Sequence, residues 1–154
     1  MKKMNWILKR FEELSTGELY ELLKLRSEVF VVEQTCVFLD MDDRDQDCHH
    51  ILWFDGKKLI GYTRLLPPGL NYEYPSIGRV VTSPSVRGEG KGRILMEKSM
   101  EECIRLFGNV SIRISAQLHL KSFYESLGFI ANGEPYIEDN ILHLMMTRPP
   151  VQSY

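Results

Sequence analysis

Long hydrophobic runs are missing from this chain: no apolar stretch approaches the ~20 residues that cross a bilayer. The opening MKKMNWILKRF carries only a brief apolar stretch before Lys9 and Arg10, too short for a signal peptide. A cytoplasmic protein without membrane contact is therefore expected. Basic excess is also missing. Lys and Arg number 19 against 21 Asp and Glu, for a net charge of -2, which argues against a general nucleic-acid binder. The 3 cysteines, Cys36, Cys48 and Cys103, show no C-x-x-C spacing. Neither a disulfide framework nor a zinc ribbon fits that arithmetic, so reduced thiols are expected, with Cys103 on a helical apolar face. Repeats, low-complexity tracts and linker-like segments are absent too, which favours one domain over residues 1–154.

What is present suits a compact fold with a real core: 154 residues, 44% of them hydrophobic. WILKRF reads as a first strand. Ser15 and Glu18 form a capping box opening a helix that carries Leu19, Leu22, Leu23 and Phe30 at helical spacing. Arg26 falls on the same stripe, either as a snorkelling stem or as a cation aimed into a cleft. HILWF and KKLIGYTRLL are strand-like and meet at Asp55-Gly56, a hairpin signal. SIGRVVT is a further strand ending at Ser83-Pro84. Beyond it, Met96, Met100, Cys103, Ile104 and Phe107 line one side of a long helix, with Glu101 and Arg105 set to pair on the other. VSIRISA alternates as a half-buried strand. HLKSFYESLG is a short helix stopped at Gly128. The last segment reads as two antiparallel strands around Glu138-Asp139-Asn140. The sum is a mixed α/β fold with more strands than helices.

RGEGKG, residues 87–92, is the most informative stretch. Three glycines cost backbone entropy, so the chain there must be bare for a reason. The frame is neither a dinucleotide fingerprint, since the third required glycine position holds Arg93, nor a Walker loop. What remains is Arg87-x-x-Gly90-x-Gly92 between a strand and a long helix. Glycines at a helix start leave N–H groups pointing outward beside the positive end of the dipole. Arg87, Lys91 and Arg93 add positive charge. Such a segment suits a pyrophosphate, with no metal-binding motif beside it; a glycine-rich surface turn is the plain alternative.

R-x-x-G-x-G after IGRVVTSPSV resembles motif A of the GCN5-related N-acetyltransferase (GNAT) superfamily, and AQLHLKSFYESLGF resembles its motif B. LRSEVFVVEQTC, the acidic loop to DCHHI, GYTRL, GRVVTSP and YIEDNILHLMM extend the resemblance nearly end to end, toward the ElaA-like branch. It implies a central, mostly antiparallel β-sheet, splayed in the middle and flanked by helices, with acetyl-CoA entering the split. Val80, Val81 and Thr82 would then offer backbone groups to pantetheine. The N–H groups from Arg87 through Gly88, Glu89, Gly90, Lys91 and Gly92 to Arg93 would hold the pyrophosphate. Gln117, Phe123 and Tyr124 would complete the cofactor side, Gln117 standing where many members have Asn.

Acetyl transfer to an amine implies three roles. The Val80 N–H suits polarisation of the carbonyl, and the Tyr124 phenol suits protonation of the leaving thiolate, unless Tyr124 only packs in the core. Glu33, expected to be desolvated by the valines of VFVV before it, and His143, inside ILHLMM, are the base candidates, with Glu33 preferred because a carboxylate also attracts a cation. Glu33 pairing at a helix end and His143 satisfied in the core are their structural readings. Arg26, Arg64 and Arg79 join Glu33 and His143 as acceptor-side candidates. DMDDRDQDCHH fails as a calcium loop, with Cys48 where Gly is required and Phe54 where Glu is, and lacks a fourth zinc ligand. It reads as a solvated acidic loop or an acidic lip for a cationic acceptor. The expected activity is N-acetylation of a primary amine by acetyl-CoA, without a metal, by a monomer or homodimer. A non-catalytic acyl-CoA sensor or interaction module is the competing class, and a nucleotide-phosphate enzyme a third that the failed phosphate motifs disfavour.

Overall fold

Alternating apolar residues, interrupted by turn formers, produce seven strands that join one sheet in the computed structural model, which describes residues 4–152. Lys2 and Lys3 at the start of the first segment lie outside the described residues. The strands are β1 (Met4–Arg10), β2 (His49–Asp55), β3 (Lys58–Leu66), β4 (Ser76–Thr82), β5 (Ile112–Gln117), β6 (Ile130–Glu138) and β7 (Ile141–Arg148). Their order is β1-β2-β3-β4-β5-β7-β6. All neighbours are antiparallel except β4 and β5, which run parallel and pair only at Ser76 and Arg113. Beyond that pair the two strands diverge, so the sheet is split at its centre. The expected turns hold the hairpins: Gly56 at φ 61°, and Asp139 and Asn140 at φ 49° and 62°.

Three α-helices flank the sheet: α1 (Thr16–Arg26), α2 (Lys91–Phe107) and α3 (Lys121–Glu125). The capping box forms, with the Glu18 N–H donating to Ser15 Oγ at 3.1 Å and the Ser15 N–H to Glu18 Oε1 at 2.8 Å. The stripe expected to run on to Phe30 does not stay α-helical. Residues Ser27–Glu33 widen into a turn of π-helix, which brings Phe30 and Glu33 to the sheet's split. On α2, Met96, Met100 and Cys103 are buried as their spacing required. Glu101 and Arg105 do not pair; Arg105 reaches Glu102 at 2.6 Å, which also holds Lys98 at 3.3 Å. Two apolar clusters result. Ile51, Trp53, Leu95, Met96 and Met146 belong to one; Leu22, Leu25, Leu52 and Tyr62 to the other.

The acidic segment is solvated only in part, at Asp43 and Asp47. Asp40, Asp42 and Asp45 are drawn under residues 34–48 by three arginines from the sheet and α1. Arg26 is fully buried and donates through Nε to Asp40 at 2.8 Å and through NH1 to Asp45 at 2.8 Å. Arg64 grips Asp42 with both terminal nitrogens, at 2.7 and 2.8 Å, and reaches Asp45 at 3.0 Å. Arg79 closes the set on Asp40 at 2.8 Å. Formal charges cancel, and each aspartate serves at least one charge-assisted bond. Burial alone would raise the Asp42 and Asp45 carboxyls, but hydrogen bonds and charge from Arg64 and Arg26 hold both below the ordinary aspartate range. Arg26 is therefore a structural ion, not a cation aimed into a cleft, and Asp40, Asp42 and Asp45 spend their charge on the arginines. Cys36, Cys48 and Cys103 are free and buried.

Candidate active site

The split between β4 and β5 opens into a cleft of about 840 Å³. Its floor is the backbone of β4. Arg79 and Val80 together face the single residue Thr63 of β3, a β-bulge, and Arg79 sits there at φ 51°. The left-handed conformation is costly for arginine; its side chain compensates by donating to the Asp40 carboxylate and to the Asp40 carbonyl at 2.9 Å. Arg79 thereby pins the bulge while also lining the cleft, with its side chain 23% exposed. Bulging re-aims the β4 backbone at Val80, on the side where β5 has departed.

The glycine segment follows after a short turn, Pro84–Val86. Gly88 and Gly90 take φ 80° and 73°, and Gly90 caps α2. The N–H groups of Gly88, Glu89 and Gly90 donate to no backbone carbonyl among the described residues. Those of Lys91, Gly92 and Arg93 are first-turn donors of α2, which have no carbonyl a turn earlier. A Cβ added at Gly88, Gly90 or Gly92 would meet nothing within 4 Å, so open space lies before all three. Up to six donors at the positive end of a 17-residue helix make an anion site.

Tyr124 of α3 also lines the cleft, 6% exposed. Burial is the sole cause pushing its phenol up to about 12, and no protein group accepts its proton among the described residues. Phe123 packs edge-on against it at 5.1 Å between ring centroids. At the end of β5, the Gln117 side-chain amide donates to Gln34 at 3.4 Å, bridging to the segment after the π turn. Glu33 lies on the opposite wall, bound to Arg87 at 2.6 Å, with its side chain 40% exposed. On β7, His143 is 8% exposed and contacts the Ile141 carbonyl through Nδ1 at 2.7 Å.

Residues 22–149 match the acetyltransferase (GNAT) domain family. This chain belongs to the GNAT family. It is 41% identical to protein ElaA of Escherichia coli over 97% of its own length and 99% of that protein's, which places it in the ElaA-like branch. The crystal structure of an acyl-CoA N-acyltransferase from Pseudomonas aeruginosa superposes with a TM-score of 0.90 at 41% identity, covering 95% of this chain and 99% of that one. E. coli ElaA superposes at 0.88, with 40% identity and the same coverage.

Within this GNAT-family cleft the sequence-based expectations sort unevenly. Val80, Val81, Thr82, Arg87, Gly92, Gln117, Phe123, Tyr124, Glu33 and His143 all line it. The three loop cations divide. Arg87 faces the cleft, Arg93 turns away to Glu97 and Ser126 at 3.0 Å each, and Lys91 lies over Trp53 at 5.8 Å. For Lys91 and Arg93 only the backbone faces the anion site. Arg64 borders the cleft, but its terminal nitrogens are consumed by Asp42 and Asp45. The desolvation expected for Glu33 is absent, because Val32 beside it is 72% exposed. Sequence reasoning missed Glu138, Tyr136 and Ser115, which gather around His143. The signal was available: a hairpin centred on Asp139-Asn140 sets Tyr136 directly opposite His143.

Proposed function

We propose that this protein transfers the acetyl group of acetyl-CoA to a primary amine by direct attack in a ternary complex. The observation carrying the reading is that one cleft collects unpaired helix-start amides, a bulged β4 backbone and the unpartnered Tyr124 phenol. The P. aeruginosa relative's description as an acyl-CoA N-acyltransferase supports the same class.

Acetyl-CoA supplies an activated carbonyl and a thiolate leaving group. Backbone N–H groups from Gly88 to Arg93 bind its pyrophosphate, helped by Arg87. The Val80 N–H stabilises the negative charge that develops on the carbonyl oxygen. His143 suits the base better than Glu33. Its Nδ1 must carry hydrogen, because the Ile141 carbonyl can only accept, and this leaves the Nε2 lone pair for the substrate. Nε2 takes one proton from the ammonium. The freed lone pair forms the C–N bond, the C–S bond breaks, and Tyr124 gives the departing sulfur its proton. The second N–H proton of the attacking nitrogen returns to Tyr124, so products are the amide, free thiol and one released proton. Because Tyr124 stays protonated throughout the neutral range, it acts as a donor aimed at the sulfur without any tuning.

The test is a panel of amines assayed with acetyl-CoA, scoring free thiol and N-acetyl product together. Amine-dependent release of both in equal amounts is expected. Tight acetyl-CoA binding with thiol release at the hydrolysis rate for every amine would instead make the protein a sensor.

A further inference from the structure

His143 and Glu138 face one another across 3.6 Å, an ion pair when the imidazole carries both protons, but not when the ring is neutral, the form that a base requires. With Nδ1–H given to the Ile141 carbonyl, the neutral ring turns its Nε2 lone pair toward Glu138 Oε2 at 3.6 Å. A carboxylate has no proton to offer, so two acceptors confront each other. The separation exceeds the ~2.7–3.2 Å of a direct N–H···O bond, which leaves room for a donor to bridge from the side. Glu138 is held in this position. Ser115 donates to its Oε2 at 3.0 Å and also bonds the Tyr136 hydroxyl, while the Tyr136 ring stacks on His143 with centroids 6.2 Å apart.

The nearby cations are engaged elsewhere. Arg113 on β5 lies over the Tyr74 ring at 5.6 Å, and Arg44 turns to Asp42 at 3.7 Å. The Asp139 carbonyl in the β6–β7 turn accepts from Cys36 Sγ at 2.6 Å. Tyr72, across the cleft, has its phenol raised by burial and then by Tyr136 and Glu138, so the neighbourhood disfavours added negative charge. A cleft wall formed by a carboxylate, an imidazole and the Tyr72 phenol, with the Tyr136 ring stacked on the imidazole, suits a cation with several N–H donors.

We propose that Glu138 and His143 together form the acceptor subsite, and that its ligand is a primary alkylammonium, one N–H donated to Glu138 Oε2 and another to His143 Nε2. This rests on the acetyltransfer reading and narrows it. Glu138 captures the charged amine, His143 removes the proton, and the half-exposed carboxylate passes the imidazolium proton to solvent. Ser115 is a positioning residue, acting through Glu138.

The experiment needs no turnover. The ring-nitrogen resonances of His143 in the full-length protein are followed by NMR during titration with n-propylammonium chloride, and with tetramethylammonium chloride as a cation lacking N–H donors. The first salt should move the Nε2 resonance saturably and the second should not. Glu138→Gln should weaken the response roughly ten- to a hundredfold, the worth of a charge-assisted bond. Ser115→Ala, a milder change that leaves the carboxylate in place, should weaken it less. Equal responses to both salts would overturn the proposal, as would a full response in Glu138→Gln with an unperturbed amide spectrum or, if that variant does not fold, an unaltered response in Ser115→Ala. A saturable response alongside a silent thiol assay would sink the acetyltransfer reading and leave the ammonium subsite standing.

Discussion

The polar groups beneath residues 34–48 and those along the cleft differ in where their partners are. Arg26, Arg64 and Arg79 meet Asp40, Asp42 and Asp45 with most of their donors used inside the protein, the Arg64 Nε excepted. Along the cleft, the amides of Gly88 to Gly90 and the Tyr124 phenol have no such partner among the described residues, and His143 and Glu138 stand 3.6 Å apart. Both regions hold expensive groups. The first is satisfied and therefore structural; the second waits for a ligand.

Breaking the saturated side should produce the largest effect. Arg26→Ala leaves Asp40 with Arg79 alone and Asp45 with Arg64 alone, and removing one partner of a buried ion set costs about 3–5 kcal/mol. Urea unfolding should show that loss; a change below about 1 kcal/mol would mean the cluster behaves as a screened surface pair. On the open side, Tyr124→Phe keeps the ring and removes only the proton, so kcat should fall about 10²–10⁴-fold with acetyl-CoA affinity unchanged. An unaltered kcat in a folded variant would return Tyr124 to the core. Gly90→Val should weaken acetyl-CoA binding strongly by calorimetry, since branching at φ 73° is strained and its methyls enter the space before the loop amides. Equal affinity would remove the pyrophosphate from this loop.

The saturated side also predicts a pH response. Asp42 and Asp45 have folded pKa values depressed below the unfolded value, so their contribution is present in full above the ordinary aspartate range near ~3.9. It is lost as pH falls through the depressed folded values. Urea midpoints taken from pH 6 downward should drop steeply in the acid range for wild type and less steeply for Asp42→Asn. The smallest effect belongs to Arg87→Ala. Its partner Glu33 is exposed and salt screens both, so acetyl-CoA affinity should fall modestly, and less at high ionic strength.

The two regions were also unequally legible. The glycine loop announced itself because a backbone requirement leaves its trace in composition: only glycine sits easily at the φ of 80° and 73° found at Gly88 and Gly90. The hairpins at Asp55-Gly56 and Asp139-Asn140 were readable for the same reason. The aspartate segment misled, since its sequence looks solvated and its partners lie on α1, β3 and β4, distant in the chain. Nothing local reveals that Arg79 would take a left-handed conformation to bulge β4. Glu33 misled too, because VFVV was read as desolvating while the π turn exposes Val32 and sends Glu33 to Arg87. Glu138 was read as part of the turn but ends β6, and its place beside His143 emerges only once the His143 ring orientation is known.

Amide and arginine side-chain NMR spectra, recorded with and without acetyl-CoA in the presence of a chelator, put both regions in one measurement. The account predicts large shifts at Gly88, Glu89, Gly90, Lys91 and Gly92 and at Val80 to Thr82, with the Arg26 and Arg64 Nε signals unmoved. Movement of those arginine signals with a silent glycine loop would contradict it.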